Sequence, residues 1–405
     1  MLAKQALRRL FEQWRGGPFA VAYRDGTTER YGDGAPQFTV LFRDENVLDL
    51  LSDDPLMSFG ELYMSGRVDV EGDLADVVSL AIRGGLISAS GASQGLAGVA
   101  GRAAAAGLRS LKRQKEDIAH HYDLGNDFFR LWLDESLTYS CAYFRTPSDT
   151  LERAQQQKVG HSLRKLRLEP KETLLDIGCG WGALVMRAAE GFGVEALGIT
   201  LSEEQHAGAS AAIEARGLQG KASVRLADCG TLAREGRQFD KIVSIGMIEH
   251  VGQAHLAEFT GHLEGLLKPG GLALLHLITG VKEGPANRWV EKYIFPGGYL
   301  PTLSEIVSHL SAWDFHVWDV ENLAPHYRLT LEYWSERFER CVPLVRDKFN
   351  ERFVRMWRLY LRLCAASFRE GTVDVHQILL SRGQPLRLPL TRDDLCAQSL
   401  RAEDC

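Results

Sequence analysis

From Thr173 onward the chain alternates two rhythms of apolar residues. Short continuous apolar runs read as buried strands: Thr173 to Ile177, Val194 to Ile199, Ser223 to Leu226, Lys241 to Ile245 and Leu272 to Leu277. Between them apolar positions return at helical spacing, in Ala183 to Glu190, Glu203 to Ala215 and Ala254 to Leu267. Leu151 to Leu166 predicts a helix leading into the first strand, and Lys268-Pro269-Gly270-Gly271 a turn that ends one helix and starts a strand. Two further strands are expected at Val317 to Val320 and His376 to Leu380, after long helical stretches. Strands alternating with helices, each parallel crossover right-handed, predict an α/β domain built on a doubly wound sheet.

The first part of the chain has a different pattern. Pro18 to Tyr31 and Gln37 to Phe42 alternate apolar with polar residues around Asp25-Gly26 and Asp33-Gly34, which predicts short strands and tight turns. A helix is expected from about Glu45 to Leu51, and a helical run from Leu74 to Ile82 follows Val68–Val70. This small α+β unit carries no cluster of reactive side chains, so packing or substrate presentation is its expected use. Arg83 to Gly107 is rich in Gly, Ala and Ser and has little to bury. The expected division is a small domain over 1–95, a linker over 96–117, a larger domain over 118–390 and a tail over 391–405.

Composition removes several classes of function. An apolar content of 45% with 25% charged residues suits a globular enzyme. A formal net charge of −6 gives no reason to expect nucleic acid as a partner. No apolar run approaches the roughly 18 residues of a membrane span, and Met1 to Arg15 has no uninterrupted apolar segment of a signal peptide. Seven cysteines without C-x-x-C pairs point to a reducing cytoplasm and away from a structural metal site. Two basic stretches could nevertheless meet an anionic membrane surface. One carries Arg109, Lys112, Arg113 and Lys115; the other places Arg352, Arg355, Arg358 and Arg362 beside Phe353, Trp357 and Tyr360. The alternative for the second is pairing with Glu332, Glu336, Glu339 and Glu351.

The first strand of the larger domain ends in Asp176 and breaks into Gly178-Cys179-Gly180-Trp181-Gly182. A dinucleotide fingerprint places its third glycine one position later and an acid near the end of the second strand. Here the second strand ends in Thr200-Leu201-Ser202. An acid followed by G-x-G suits a ligand without a pyrophosphate, whose cationic amino-acid part and ribose lie along the loop; S-adenosylmethionine is the candidate. Ligands of such sheets bind outside the carboxyl ends of the strands. There the sequence gathers Asp176, Gly178 and Gly180, then Thr200, Ser202 and Gln205, then Asp228, Glu249 after the fourth strand, and His276 near the end of the fifth. Each has an ordinary structural use as well, Glu249 as a helix cap and His276 as a satisfied core histidine.

These motifs, in this order, resemble the cyclopropane-fatty-acyl-phospholipid synthases and the related cyclopropane mycolic acid synthases. The resemblance runs from about His121 to Gly383. It rests on His121-Tyr122-Asp123-Leu124-Gly125-Asn126, Tyr139-Ser140-Cys141-Ala142-Tyr143, Leu175 to Gly182, Thr200-Leu201-Ser202, Met247 to Gly252, Tyr293 to Gly298 and Tyr360 to Ala365. Phe59 to Gly66 also resembles the N-terminal domain of the phospholipid-acting members, which the mycolate enzymes lack. The resemblance implies a Rossmann-like methyltransferase fold. It further implies methyl transfer from S-adenosylmethionine to a cis double bond of a phospholipid acyl chain, then loss of a proton and ring closure.

The resemblance also implies residue roles. Tyr139, Ser140, Gly178, Gly180, Thr200, Leu201, Ser202, Gln205, Asp228 and Cys229 fall on donor-binding positions, with Asp176 closing the strand. The mycolate enzymes carry Gly-Trp where this chain has Asp228-Cys229, which leaves Asp228 to accept the adenine amino group. The base is a bound bicarbonate among Glu249, His276, Tyr327 and the backbone near Cys141 and Ile278. Cys364 matches a cysteine treated as catalytic, although this chemistry needs no covalent nucleophile. Tyr122, Phe144, Trp289, Tyr293 and Phe295 are candidate aromatic neighbours for a carbocation. The implied partner is a membrane phospholipid with an unsaturated chain, met by peripheral attachment from the cytoplasm, and a homodimer is left open. The rival readings are a methyltransferase that leaves a methyl branch or methylates a small amine, and a non-catalytic lipid-binding module.

Overall fold

The computed structural model describes residues 2–12, 17–44, 54–85, 124–283, 287–384 and 388–393. The expected helix near Glu45, the linker with its basic residues Arg109 to Lys115, and His121 to Asp123 lie outside them. The chain groups into two compact units. One takes in Met1–Val99, Gly280–Pro296 and Leu331–Val373; the other takes in Ala100–Thr279, Gly297–Thr330 and Asp374–Cys405. The small unit thus includes segments that the sequence assigns to the larger domain.

In the small unit, strands β1 (Phe19–Ala22), β2 (Thr28–Tyr31), β3 (Thr39–Phe42) and β4 (Val68–Glu71) form a sheet of order β2-β1-β3-β4. Its core stacks Phe19 on Tyr31 and Phe38, with ring centroids 5.2 and 5.8 Å apart. Asp54 caps the helix Pro55–Met64, accepting from the Met57 N–H. Gly60 on that helix is a requirement of packing, since a Cβ there would lie 2.2 Å from Trp289 Nε1.

The basic stripe expected on the helix Glu351–Arg369 is not a free surface. Arg355 donates to the carbonyls of Tyr63 and Val68 and lies over the Tyr63 ring, 4.1 Å from its centroid. Arg352 pairs with Glu61 at 3.2 Å, Arg362 with Asp73 at 3.4 Å, and Arg358 with Glu339. Guanidinium groups with several fixed donors serve here to satisfy carbonyls and carboxylates of the small unit. Phe353, Trp357 and Tyr360 continue this packing, Phe353 stacking on Trp357 at 5.7 Å.

The larger unit holds seven strands: β5 (Thr173–Ile177), β6 (Glu195–Thr200), β7 (Ala222–Leu226), β8 (Phe239–Ile245), β9 (Leu267–Gly280), β10 (Phe315–Asn322) and β11 (Val373–Arg382). Their order is β10-β11-β9-β8-β5-β6-β7. β5 is parallel to β6 and β8, β6 to β7, and β8 to β9, whereas β10 and β11 run antiparallel. Side chains alternate faces along each strand. Leu175, Ile242 and Leu275 accordingly enter one core layer, and Leu174, Val243 and Leu274 the other. The doubly wound α/β expectation is met, with the chain reversing direction across the sheet between β5 and β8.

One expected turn is instead strand. β9 begins at Leu267, directly after the helix Leu256–Leu266, and runs through Lys268-Pro269-Gly270-Gly271. Pairing with β8 shifts register there, between Phe239 and Lys241. Gly270 takes φ +77°, and a Cβ on Gly271 would lie 2.7 Å from the Asp240 carbonyl oxygen. The glycines therefore form an irregular strand start rather than a separate loop.

Candidate active site at the carboxyl edge of the sheet

β5 ends in a loop that only glycine fits well. Gly178, Gly180 and Gly182 take φ of +85°, +55° and +81°, the region L-residues avoid. Gly178 is also confined, with Met247 atoms 3.0 Å from where its Cβ would be; the same position on Gly180 is open. The loop is braced from outside by Asn126. Its Oδ1 accepts from Trp181 Nε1 at 2.7 Å, and its Nδ2 donates to Glu204 at 2.9 Å.

Above the loop is a cavity of about 190 Å³. All of the expected cofactor residues line it except Ser202. Ser202 instead caps the helix Glu203–Ala215, accepting from the Gln205 N–H at 3.2 Å. Thr200 Oγ1 donates to Gln205 Oε1 at 2.7 Å, so these two orient each other. Asp228 caps the helix Cys229–Arg234: its Oδ1 accepts from the Thr231 N–H at 2.7 Å, and both carboxylate oxygens receive the Thr231 hydroxyl at 3.1 Å. Its carboxylate is thus already engaged on the side facing the helix. Burial pushes the Cys229 thiol up to about 11. Tyr139 packs against Phe129 and Trp132, and Gln155 Nε2 holds its loop by donating to the carbonyls of Thr138 and Ser140 at 3.2 and 2.9 Å.

The cavity contains a cation that sequence reasoning missed. Lys158, almost fully buried on the helix Leu151–Lys165, donates from Nζ to Ser140 Oγ at 3.1 Å. Desolvation lowers its ammonium to about 8, against the opposing pull of Asp134, Cys141 and Asp176. Asp176, equally buried, is raised by desolvation to about 7, with Lys158 holding it down. A lysine at helical spacing reads as a solvated face, and nothing local marks it otherwise. His250 and His262 also line the cavity, and burial depresses the His250 imidazole to about 4.

The residues expected around the base fall into separate groups outside that lining. Glu249, on a single 3₁₀ turn after β8, accepts at Oε1 from the Ile278 N–H at 2.7 Å. Its Oε2 is buried with no hydrogen-bond partner. Burial raises the carboxyl to about 7, the Ile278 N–H opposing. The Ile278 amide is therefore already used by Glu249. His276, 2% exposed, receives Gln377 Nε2 at Nδ1 at 3.2 Å, while its Nε2 is buried without a partner. Burial, then the nearby Lys158 and Lys165, hold this imidazole well below its usual range, so it is neutral.

Cys141 and Tyr327 meet at one carbonyl: Leu323 O accepts from the Tyr327 N–H at 3.1 Å and lies 3.9 Å from Cys141 Sγ. The adjoining Ala142 N–H donates to Thr330 Oγ1 at 3.0 Å, and the Phe144 N–H to His326 Nδ1 at 3.1 Å. Burial pushes the Cys141 thiol far above its ordinary value. Cys364 belongs to the small unit, on the helix Glu351–Arg369, where desolvation raises its thiol to about 12. Both cysteines are therefore held as thiols, unsuited to nucleophilic attack at neutral pH. Trp289, Tyr293 and Phe295 also belong to the small unit, where the Tyr293 hydroxyl donates to Glu61. Tyr122 lies outside the described residues.

A glycine turn at the point where the strand order reverses, an acid buried at the strand end and a cavity over both define an S-adenosylmethionine-dependent methyltransferase of the doubly wound class. The sequence profile of the mycolic acid cyclopropane synthetase family matches residues 109–378, and a profile for a domain of unknown function matches 6–85. The chain is 37% identical over 387 residues to a probable fatty acid methyltransferase of Pseudomonas putida, covering 93% of this chain and 96% of that protein. It is 41% identical over 278 residues to the cyclopropane-fatty-acyl-phospholipid synthase of Escherichia coli strain K12, covering 68% of this chain and 70% of the relative. The solved mycolic acid cyclopropane synthase CmaA1 in complex with SAH and CTAB superposes with a TM-score of 0.61 at 36% identity, over 66% of this chain and 98% of that one. The chain belongs to the mycolic acid cyclopropane synthetase family.

Proposed function

We propose that this enzyme methylates the cis double bond of a phospholipid acyl chain and closes a cyclopropane, with bicarbonate taking the departing proton. The observation that carries the reading is the pair of buried, unpartnered polar atoms, Glu249 Oε2 on the turn after β8 and His276 Nε2 on β9, where His276 pairs with Ile245, the last residue of β8. Burying such atoms unsatisfied costs about 1–3 kcal/mol each, so a fold that keeps two of them is prepared for a polar guest. A neutral histidine donating from Nε2 and a carboxylate accepting at Oε2 match an anion that carries one hydroxyl. Bicarbonate bound there would supply a weak base that cannot itself trap the cation.

The remaining residues hold and exclude. S-adenosylmethionine in the cavity would supply the electrophilic methyl group. Gly178 and Gly180 let the backbone approach it, and ionised Asp176 balances its positive charge. Phe144, 6% exposed, is an apolar neighbour on the loop that follows Cys141, where exclusion of water protects a carbocation. Among the described residues no helix is long and apolar enough to cross a membrane. Peripheral attachment from the cytoplasm, with the basic segment around Lys112 as contact, is the proposed route to the lipid.

A second reading has a specific observation behind it, namely that the relative aligned over most of this chain is named a fatty acid methyltransferase. Mass spectrometry of membrane lipids from an expressing host separates the two. A gain of one CH₂ per unsaturated chain with the double bond lost supports ring closure. The same gain with an alkene retained replaces it with methyl branching, and no gain overturns both.

A further inference from the structure

Gln377 has no role in any reading of the sequence, yet it is completely buried in the middle of β11. Its Oε1 is buried without a hydrogen-bond partner, so the amide is held through its nitrogen alone. Its Nε2 reaches two atoms, Ser162 Oγ at 3.1 Å and His276 Nδ1 at 3.2 Å. Ser162 settles which way the amide is turned. Its hydroxyl donates to the Lys158 carbonyl at 2.9 Å, one turn back on the same helix, which leaves the oxygen only lone pairs to offer. The group facing Ser162 must therefore be a donor, and that is the NH₂ end of Gln377. The same NH₂ then meets His276 Nδ1, which must accept. In a neutral imidazole an accepting Nδ1 places the only proton on Nε2.

We infer that Gln377 is a positioning residue for the reaction: with Ser162 as its anchor, it fixes His276 as the Nε2–H tautomer and turns that donor toward the anion-binding position. The inference rests on the bicarbonate reading for its purpose, but not for its geometry. Three elements distant in sequence join to do this, the helix Leu151–Lys165, β9 and β11. Reversal of the amide would put a proton on Nδ1 and present a bare lone pair at Nε2. An anion would then face an acceptor, and binding would fail without any change in shape.

Two variants separate positioning from packing. In Gln377→Glu a carboxylate accepts from Nδ1–H and so inverts the tautomer; in Gln377→Met a side chain of similar length leaves it unset. The protonation of the His276 ring is read from its ¹⁵N shifts, the signals being assigned by their loss in His276→Phe. Expected is a proton on Nε2 in the parent protein and on Nδ1 in Gln377→Glu. Turnover should drop about tenfold to a hundredfold in Gln377→Glu, the scale of losing a group that orients a ligand. In Gln377→Met the bicarbonate KM should rise with kcat largely kept, and S-adenosylmethionine affinity by calorimetry should be unchanged in both. A parent proton on Nδ1 overturns the inference, as does an inverted tautomer with normal turnover while His276→Phe is inactive. If His276→Phe also turns over normally, or parent turnover ignores bicarbonate, the functional reading itself has failed.

Discussion

The Ile278 backbone N–H donates to Glu249 Oε1 at 2.7 Å and so turns the other carboxylate oxygen, Oε2, into a buried position with no protein partner. One oxygen anchors the group while its twin is left for chemistry. Glu249→Gln keeps an acceptor for Ile278 but removes the charge. Ring formation should fall by at least about a hundredfold, within the range of a lost acid–base group. S-adenosylmethionine affinity should stay within about twofold of the parent, a difference of about 0.4 kcal/mol. Calorimetry beside a product assay checks both, and near-normal turnover would remove Glu249 from the mechanism.

The same substitution has a stability consequence with a definite sign. The Glu249 carboxyl titrates at about 7 when folded, against 4.5 for the free group. The folded state therefore holds an extra proton between those values. Stability tied to the neutral carboxyl is complete below pH 4.5 and is lost as pH rises through about 7. Glutamine cannot ionise, so the variant should melt about 2–6 °C above the parent at pH 8 and level with it near pH 4. A melting difference independent of pH would show that Glu249 carries no such strain.

Lys158 and Asp176 predict a pH dependence of cofactor binding. Asp176 must be ionised to balance a cationic ligand, and burial places it at about 7. Binding should weaken as pH falls through neutrality. Lys158→Met removes the charge that holds Asp176 down, so the midpoint should move upward and affinity at pH 7 should drop several-fold. Calorimetric titrations between pH 6 and 9 test this; a midpoint that stays in place would mean Lys158 serves Ser140 alone.

The two glycines of the loop should fail differently. Gly178→Val drives a branched side chain into Met247 and should lower stability by about 2 kcal/mol or more. Gly180→Ala meets nothing in the protein and should cost about 1 kcal/mol of backbone strain, with its main effect a loss of S-adenosylmethionine binding. Denaturant melts compared with calorimetry separate the outcomes, and equal behaviour of the two would contradict the geometry.

Much of this was legible before the fold was seen. The strand–glycine–helix unit at Asp176 and the helix Glu203–Ala215 follow from local pattern, because period and turn chemistry are written in neighbouring residues. What stayed hidden depends on distant partners. Lys158 looks like surface until Ser140 is found at its ammonium, and Gln377 looks like a strand filler until Ser162 and His276 arrive beside it. The arginines of Glu351–Arg369 read as a membrane face because most of their acceptors, Glu61 for Arg352, Tyr63 and Val68 for Arg355 and Asp73 for Arg362, lie far upstream. The motif places Ser202 among ligand residues, while its hydroxyl accepts from the Gln205 N–H as a helix cap.

Those arginines give a fifth test. Arg355→Ala removes the guanidinium from the Val68 carbonyl and from the Tyr63 carbonyl, which also accepts from the Gly66 N–H, and should destabilise the protein by about 1–3 kcal/mol. Lys112→Glu/Arg113→Glu should leave the melting temperature alone and weaken sedimentation with anionic vesicles at low salt. If Arg355→Ala leaves the melt unchanged but lowers vesicle binding, the assignment of that helix to internal packing is wrong.

The partnership between Tyr63 and Arg355 also imposes a schedule on synthesis. The two residues are 292 positions apart, and Gly60 waits similarly for Trp289. At ribosomal speeds of about 5–20 residues per second, the first part of the small unit emerges roughly 15–60 s before the helix that completes it. During that interval Leu62 is already covered by its own core of Phe19, Val40 and Leu80, but the face that later receives Arg355 and Trp289 is not. A nascent chain in this state exposes that face to chaperones until the later helix emerges.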